Sequence, residues 1–336
     1  MRIAYLSCHS ILEHDELTLL TELGHEVFSH GAYLDPAGHA GLPRHGIEGM
    51  KAHPELAEIT RANPAKTALP QELIDWADII LIMHEPQWVI SNWNRIKSKP
   101  VVWRTIGQST AKTEALMKPY ADQGMKIVRY SPKERSFPNF AGEHALLRFY
   151  KDEDTFSGWT GETHDVVTFA QTLKGRRQFC HYDTLFEVLS LFDGSKVYGS
   201  GNDDLGGLNG GEVPFRRQLE LMRQSRVLLY AGTWPAPYTL TFLEAMMMGL
   251  PIVSISKTLA HLPQFEPLDF FECDEILAQI GGAVCDSASG MAIAVQRFRV
   301  NDDMAREVSA SQRMLAKEMF GKKKIMPQWK EFLDGL

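Results

Sequence analysis

The sequence predicts an α/β protein of two successive domains, each a doubly wound parallel sheet, and three observations lead there. Its 336 residues are about twice the content of one ordinary core, at roughly 150 residues per domain. Short, continuous apolar runs alternate with segments of helical spacing, as in βαβ units whose parallel strands are buried on both faces. This series stops at a stretch rich in proline and glycine near mid-chain and then begins again.

Residues 2–8 (RIAYLSC) form the first apolar run. The next segment opens on Asp15 and Glu16 and closes on Gly24. Acidic side chains at the positive end and glycine past the last turn are helix start and stop signals. A strand at 25–29 completes the unit. Further strands are expected at 78–84, 101–106 and 126–130, with helices ending near Ala77 and spanning 88–97 and 110–123. Residues 131–164 carry Pro132, Pro138, Gly142, Gly158 and Gly161, and the connection between domains is placed there. The expected division is an N-terminal domain of residues 1–150, a second domain of 151–310 and a helical tail of 311–336. In the second series, strands fall at 166–170, 196–198, 227–230 and 252–255, with helices at 183–192, 214–225 and 241–249. Residues 304–320 have helical spacing, and the final segment carries Trp329 and Phe332, with its packing left open by the pattern.

With 44% hydrophobic and 23% charged residues the chain has the makeup of a folded enzyme, not of a disordered or fibrous protein. A formal charge of −7 argues against strong nonspecific binding to nucleic acid or anionic lipid. Cys8, Cys180, Cys273 and Cys285 are scattered and form no CxxC pair, so neither a zinc site nor a disulfide framework is expected. The first apolar stretch is too short for a signal sequence, and no run approaches the roughly 18 apolar residues of a membrane span. A cytoplasmic protein without integral membrane association is expected.

Ligands of open parallel sheets bind beyond the carboxyl ends of the strands. The loop after 227–230 reads Ala-Gly-Thr-Trp-Pro-Ala-Pro-Tyr-Thr-Leu and runs directly into a helix. A turn shaped by glycine and proline leaves the first helical amides and the positive dipole end open to an anion such as a diphosphate. Glu244 follows one turn in, where a carboxylate accepts from paired hydroxyls such as those of a ribose. A tight turn and a helix packed through its methionines fit the same residues, and the run Met246 to Met248 is better read as core than as contact.

The segment 238–254 (YTLTFLEAMMMGLPIVS) resembles the signature of retaining, family-4-like glycosyltransferases of the GT-B fold, in which a helix with Glu-Ala-Met runs into Gly-x-Pro and an apolar strand. The stretch 230–254 is also similar to sugar transferases encoded by bacteriophages. The resemblance implies two facing Rossmann-like domains with the ligand cleft between them, the N-terminal domain for the acceptor and the C-terminal domain for a nucleotide-diphosphate sugar. It implies that Glu244 holds the donor ribose and that Thr233 and the backbone amides of Tyr238 and Thr239 meet sugar and phosphate. The usual first glutamate, eight positions earlier, is Ala236 here, which removes a customary sugar contact.

After the strand at 166–170, Lys174, Arg176 and Arg177 stand where such transferases place an arginine and a lysine on the diphosphate. Arg176 and Lys174 are preferred to Arg177, Arg176 with a catalytic role; a solvated basic loop reads the same way. The run after 196–198 places Gly199 and Gly201 beside the nucleotide base. Asp204 stands where a dinucleotide fingerprint needs its third glycine, so a dehydrogenase is not indicated. An ordinary glycine turn fits equally. In the first domain His84 and Glu85 end a strand, and His84 is the candidate to orient or deprotonate an acceptor hydroxyl; a hydrogen-bonded strand cap is the equal alternative. His9, Ser10, Glu85 and Arg104 are the acceptor-side candidates, with Ser7, Glu13, His14, Gln108 and Ser109 as further positions.

Asp152-Glu153-Asp154 matches the acidic triplet that holds a divalent cation in another transferase fold, yet it lies at the domain connection, so no metal site and no cofactor are expected. Lys322 to Lys324 read as a solvated helix end. The chain is thus expected to be a hexosyltransferase, with UDP-glucose as the guessed donor, acting with retention of configuration. The phage resemblance implies 5-hydroxymethylcytosine in DNA as an acceptor, and a host-cytoplasm location if the chain is phage-encoded. Glycan, lipid-linked and small-molecule acceptors are the alternatives, as are a nucleotide-sugar 2-epimerase and a noncatalytic nucleotide-sugar binding protein.

Overall fold

The computed structural model describes residues 1–34, 53–63, 68–107, 109–262 and 269–336, and these form two compact units. The first is Met1–Tyr150 with Lys322–Leu336, and the second is Lys151–Gly321. In the first unit the chain runs β1 (Arg2–Leu6), α1 (Ser10–Glu22), β2 (Glu26–His30), α2 (Pro54–Ala62), α3 (Gln71–Trp76), β3 (Ile79–Met83), α4 (Pro86–Ile96), β4 (Val101–Arg104), α5 (Ala111–Ala121), β5 (Lys126–Arg129) and β6 (Ala145–Leu146). Its six strands are parallel, in the order β2-β1-β3-β4-β5-β6.

The second unit runs β7 (Val166–Phe169), α6 (Leu173–Arg176), α7 (Tyr182–Leu189), β8 (Lys196–Tyr198), β9 (Asn209–Gly211), α8 (Phe215–Gln224), β10 (Val227–Tyr230), α9 (Leu240–Met248), β11 (Ile252–Ile255), α10 (Lys257–Ala260), α11 (Cys273–Ala278), β12 (Ala283–Cys285), α12 (Ala288–Val300) and α13 (Asp302–Phe320). Its six strands are again parallel, ordered β12-β11-β10-β7-β8-β9. Both units are doubly wound parallel α/β sheets, the class that the alternating pattern predicts. Among the described residues no helix is long and apolar enough to cross a membrane.

The strands form where apolar residues run without interruption. All five residues of β3 (IILIM) are buried, each 2% exposed or less, and burying such a side chain contributes about 1.5–3 kcal/mol. α1 begins at Ser10, five residues before Asp15, because the His9 imidazole caps it by accepting the Leu12 amide at 3.4 Å. Asp15 and Glu16 are therefore not its first turn. Glu16 is buried and accepts from the Tyr5 hydroxyl at 2.6 Å and from Arg104 Nε at 2.8 Å. α9 ends at Gly249, whose φ of +82° lets its amide reach the Ala245 and Met246 carbonyls. Met246, Met247 and Met248 are all fully buried in the core.

The chain does not divide at residue 310. α13 runs unbroken to Phe320 within the second unit, and α14 (Lys322–Asp334) belongs to the first. There Trp329 is buried, with the Arg104 guanidinium 5.4 Å from its ring centroid, and Lys322 pairs with Glu22.

The carboxyl ends of β4 and β5 enclose a buried charged cluster. Arg129 and Glu114 form a two-pronged pair, with Nη1 and Nη2 each 2.7 Å from a carboxylate oxygen, while Nε donates to the Gly142 carbonyl at 3.0 Å. Glu134 accepts from the Thr105 hydroxyl at 2.9 Å and from the Tyr130 and Ser131 amides at 2.9 and 3.3 Å, all through Oε2. Its Oε1 has no hydrogen-bond partner and lies 3.9 Å from Arg129 Nη1. Burial pushes the Glu134 carboxyl up to about 7, against the pull of Arg129 and of these hydrogen bonds. A carboxyl raised in this way favours the fold while protonated. The contribution is complete below its ordinary value of 4.5 and is lost as pH rises through about 7. Glu134→Gln should therefore flatten the stability profile over that interval in urea melts. A variant that kept the wild-type fall in stability would contradict this assignment.

Candidate functional site

In the second sheet the strand order reverses between β7 and β10, since the chain proceeds outward from β7 to β9 and then resumes on the other side. At such a reversal the following loops leave in opposite directions and open a crevice at the carboxyl edge. The loops are residues 170–177 after β7 and 231–239 after β10. They meet where the Arg176 guanidinium donates to the Thr233 hydroxyl at 3.0 Å and the Trp234 amide donates to the Phe179 carbonyl at 2.8 Å. Arg176 and Thr233, chosen separately from the sequence, are thus neighbours. Arg177 is exposed and turned to Asp183 at 3.3 Å, while Lys174 is half exposed and lies 3.6 Å from Asp204.

The glycine-rich loop after β8 is stitched to the loop after β7. The Thr172 amide donates to the Ser200 carbonyl at 2.8 Å. Asn202, 1% exposed, accepts the Leu173 amide at 2.9 Å and donates to the Ala170 and Gly199 carbonyls at 2.7 and 2.9 Å. A Cβ on Gly199 would run into the Ala170 carbonyl, and Gly201 has a φ of +71°. These glycines hence have a packing reason to be there, with Asn202 as organiser, a role that one asparagine in a loop does not signal in sequence.

Thr239 stands at the N-cap position of α9, but its side chain does not cap the helix. The Tyr230 hydroxyl accepts the Thr239 amide at 3.0 Å and donates to the Thr239 hydroxyl at 3.2 Å. The expected phosphate contact of the Thr239 amide is corrected accordingly, since that N–H is spent on Tyr230. The next two amides, of Leu240 and Thr241, have no acceptor among the described residues and stand at the positive end of the helix dipole. Tyr238 has its ring in the core, 1% exposed and with centroid 5.6 Å from that of Phe320.

Glu244 lies one turn into α9 and is 1% exposed. Its Oε1 accepts from Lys151 Nζ at 2.9 Å and its Oε2 from Gln218 Nε2 at 2.9 Å. The carboxylate expected to face hydroxyls is thus already engaged by two side chains that the sequence reading did not single out. Ala236, where the resemblance places another glutamate, is buried beneath the same loop, its amide bonded to the Thr233 carbonyl.

The first sheet reverses between β1 and β3, and the loops there carry His9, Ser10, His84 and Glu85, joined where Cys8 Sγ donates to the Met83 carbonyl at 3.2 Å. His84 has a φ of +50°, stacks on Trp103 at 5.6 Å, and keeps a buried Nδ1 with no hydrogen-bond partner. Burial pulls its pKa down to about 4, so near neutral pH it is an uncharged imidazole, suited to orient a hydroxyl rather than to keep its proton. His9 and Glu85 cap α1 and α4, and Ser10 is fully buried. Arg104 is corrected outright as an acceptor contact. It is fully buried, bonded to Glu16 and to the Arg129 and Leu147 carbonyls at 3.2 and 2.6 Å. Glu13 is likewise structural, binding the Ser29 hydroxyl at 2.6 Å and the Ala32 amide at 2.8 Å, and Ser109 donates to Glu114. Gln108 lies outside the described residues. Asp152 accepts the Thr155 amide at 2.7 Å in a turn, and among the described residues no group of three side chains is arranged to hold a metal ion.

No family model matches the chain, and no curated protein matches it. Its fold matches solved structures over its whole length. Anabaena Alr3699/HepE, solved in complex with UDP-glucose, shares it at a TM-score of 0.68 and 13% identity, with 100% of both chains covered. A glycosyltransferase from Rickettsia africae ESF-5 gives a TM-score of 0.65 at 12% identity, covering 99% of this chain and 98% of that one. The pneumococcal O-GlcNAc transferase GtfA, solved with UDP and GlcNAc, gives 0.53 at 14% identity, covering 80% of this chain and 60% of that one. The chain has the two-unit fold of GT-B glycosyltransferases.

Proposed function

We propose that the protein is a glycosyltransferase that moves a sugar from a nucleoside-diphosphate sugar, of which UDP-glucose is the first to test, to an acceptor hydroxyl. The observation that carries this reading is the meeting of the loops after β7 and β10 at the switch point of the second sheet, where Arg176 donates to Thr233 and the Leu240 and Thr241 amides open α9, with Glu244 one turn further along that helix. HepE, which shares the fold, was solved in complex with UDP-glucose, and this supports the choice of donor.

As the bond to the sugar breaks, negative charge grows on the diphosphate and positive charge on the sugar. The Leu240 and Thr241 amides, with the α9 dipole behind them, are aimed at the growing negative charge, and Arg176 adds a forked cation. In this reading these groups carry the leaving-group stabilisation and transfer needs no metal. Glu244 takes the ribose hydroxyls, and Lys174 supplements Arg176 as a point charge. His84, neutral and partly exposed in the loop after β3 at the first switch point, orients the acceptor hydroxyl. The resemblance of residues 238–254 to retaining transferases supports front-face transfer with retention, in which the acceptor oxygen bonds the anomeric carbon as the bond to the diphosphate breaks and the hydroxyl proton passes to the departing diphosphate oxygen. Four scattered cysteines without a CxxC pair support a cytoplasmic location.

The test is a donor-by-acceptor screen by mass spectrometry with UDP-, GDP- and ADP-sugars. The acceptor arms are hydroxymethylated DNA, glycans, lipid-linked sugars and small hydroxyl compounds. Mass addition to an acceptor, with the α-anomer formed from an α-donor, supports the proposal. Release of an epimerised sugar without acceptor would make the protein a 2-epimerase, and tight donor binding without turnover in any arm would make it a binding protein.

A further inference from the structure

We infer that Lys151 and Gln218 are positioning residues that hold the Glu244 carboxylate ionised and oriented for ribose, an inference that rests on the donor reading above. Lys151 is the first residue of the second unit, and its backbone is fixed where the unit ends: its amide donates to the Phe320 carbonyl at 2.9 Å, and it forms a parallel bridge with Gly321. The side chain is fully buried, with Nζ 2.9 Å from Glu244 Oε1 and 5.5 Å from the Phe156 ring centroid. Phe156 packs edge-on against Phe215 at 5.9 Å, in the first turn of α8. Gln218, three residues on, reaches Glu244 Oε2. Both carboxylate oxygens are thus held from segments distant in sequence.

A buried ion pair is seldom worth more to stability than apolar residues of the same volume, so its place beside the candidate ribose carboxylate calls for another reason. A carboxylate buried without a counter-charge takes up a proton. An ionised one accepts shorter and stronger hydrogen bonds from hydroxyls. Lys151 supplies the charge that keeps Glu244 an acceptor, and Gln218 fixes the plane of its carboxylate. Discrimination between ribose and a sugar lacking both hydroxyls then depends on all three residues.

The experiment is a thermodynamic cycle by calorimetry on the full chain. The probes are UDP, GDP and ADP, each with its 2′,3′-dideoxy counterpart, and the proteins are wild type, Lys151→Met and Gln218→Leu. Wild type should prefer the ribonucleotide about tenfold or more, as expected for hydrogen bonds to a charged group. In the variants that ratio should fall toward 1, with affinity for the dideoxy nucleotide nearly unchanged. A preserved ratio, an equal weakening of both nucleotides, or tighter ribonucleotide binding by Lys151→Met overturns the inference and leaves the Glu244 reading standing. Absence of any preference in wild type overturns the Glu244 reading itself. Gln218 is only half-buried in the structure, so Gln218→Leu carries the test if Lys151→Met does not fold.

Discussion

Glu244→Ala should weaken nucleotide-sugar binding about a hundredfold, the loss of two charge-assisted hydrogen bonds, and lower the stability of the second unit by about 3–5 kcal/mol. The two effects have separate causes. Affinity falls because the ribose hydroxyls lose their acceptor. Stability falls because Lys151, fully buried beside it, loses the carboxylate oxygen 2.9 Å from its ammonium. Glu244→Gln separates them: the amide keeps the shape and one carbonyl oxygen near Lys151 but carries no charge. Its stability should lie between wild type and alanine, while its affinity should approach that of the alanine variant. Calorimetry against UDP-glucose and urea melts read the two quantities, and near-wild-type affinity in a folded Glu244→Ala protein would contradict the ribose assignment.

The second large effect lies in the first unit. Glu114→Ala should destabilise that unit by about 3–5 kcal/mol, because Arg129 is fully buried and loses both of its 2.7 Å partners at once. The Ser109 hydroxyl and the Ala141 amide lose their acceptor too. Replacing both charges, as Glu114→Leu with Arg129→Met, should recover much of the loss, since the penalty belongs to a buried guanidinium stripped of its two-pronged partner. The pH dependence has a definite sign. Burial would raise the Glu114 carboxyl, but the hydrogen bonds and charge of Arg129, with those of Ser109 and Ala141, hold it below 4.5. Its contribution is therefore complete above 4.5 and is lost as pH falls through the lower native value. Urea melts of wild type and Glu114→Ala should converge in acid and diverge toward neutrality; parallel curves would refute the pair's role.

What was legible in the sequence follows from what each element needs. β3 (IILIM) and β10 (VLLY) are buried throughout and appear as unbroken apolar runs, and β1, β4 and β11 depart from that only at Arg2, Arg104 and Ser254. β9 is Asn-Gly-Gly, a strand only because its backbone pairs with β8, and no side-chain pattern announces it. α12 leaves Ile293 59% and Val300 70% exposed, which blurs its helical period. The loop and helix from Thr233 to Glu244 were legible because their residues are consecutive. Lys151 and Gln218 were not, standing 93 and 26 residues from Glu244 with no spacing to link them. Arg104 was misread for a related reason. An arginine at a strand end looks the same whether it faces a ligand or the core, and its partner Glu16 lies 88 residues earlier.

The most direct measurement is a crystal structure of the full chain soaked with UDP-glucose. The diphosphate should lie on the Leu240 and Thr241 amides beside Arg176, with the ribose hydroxyls on Glu244. Nucleotide bound elsewhere, with no ribose hydroxyl on Glu244, would contradict the donor assignment.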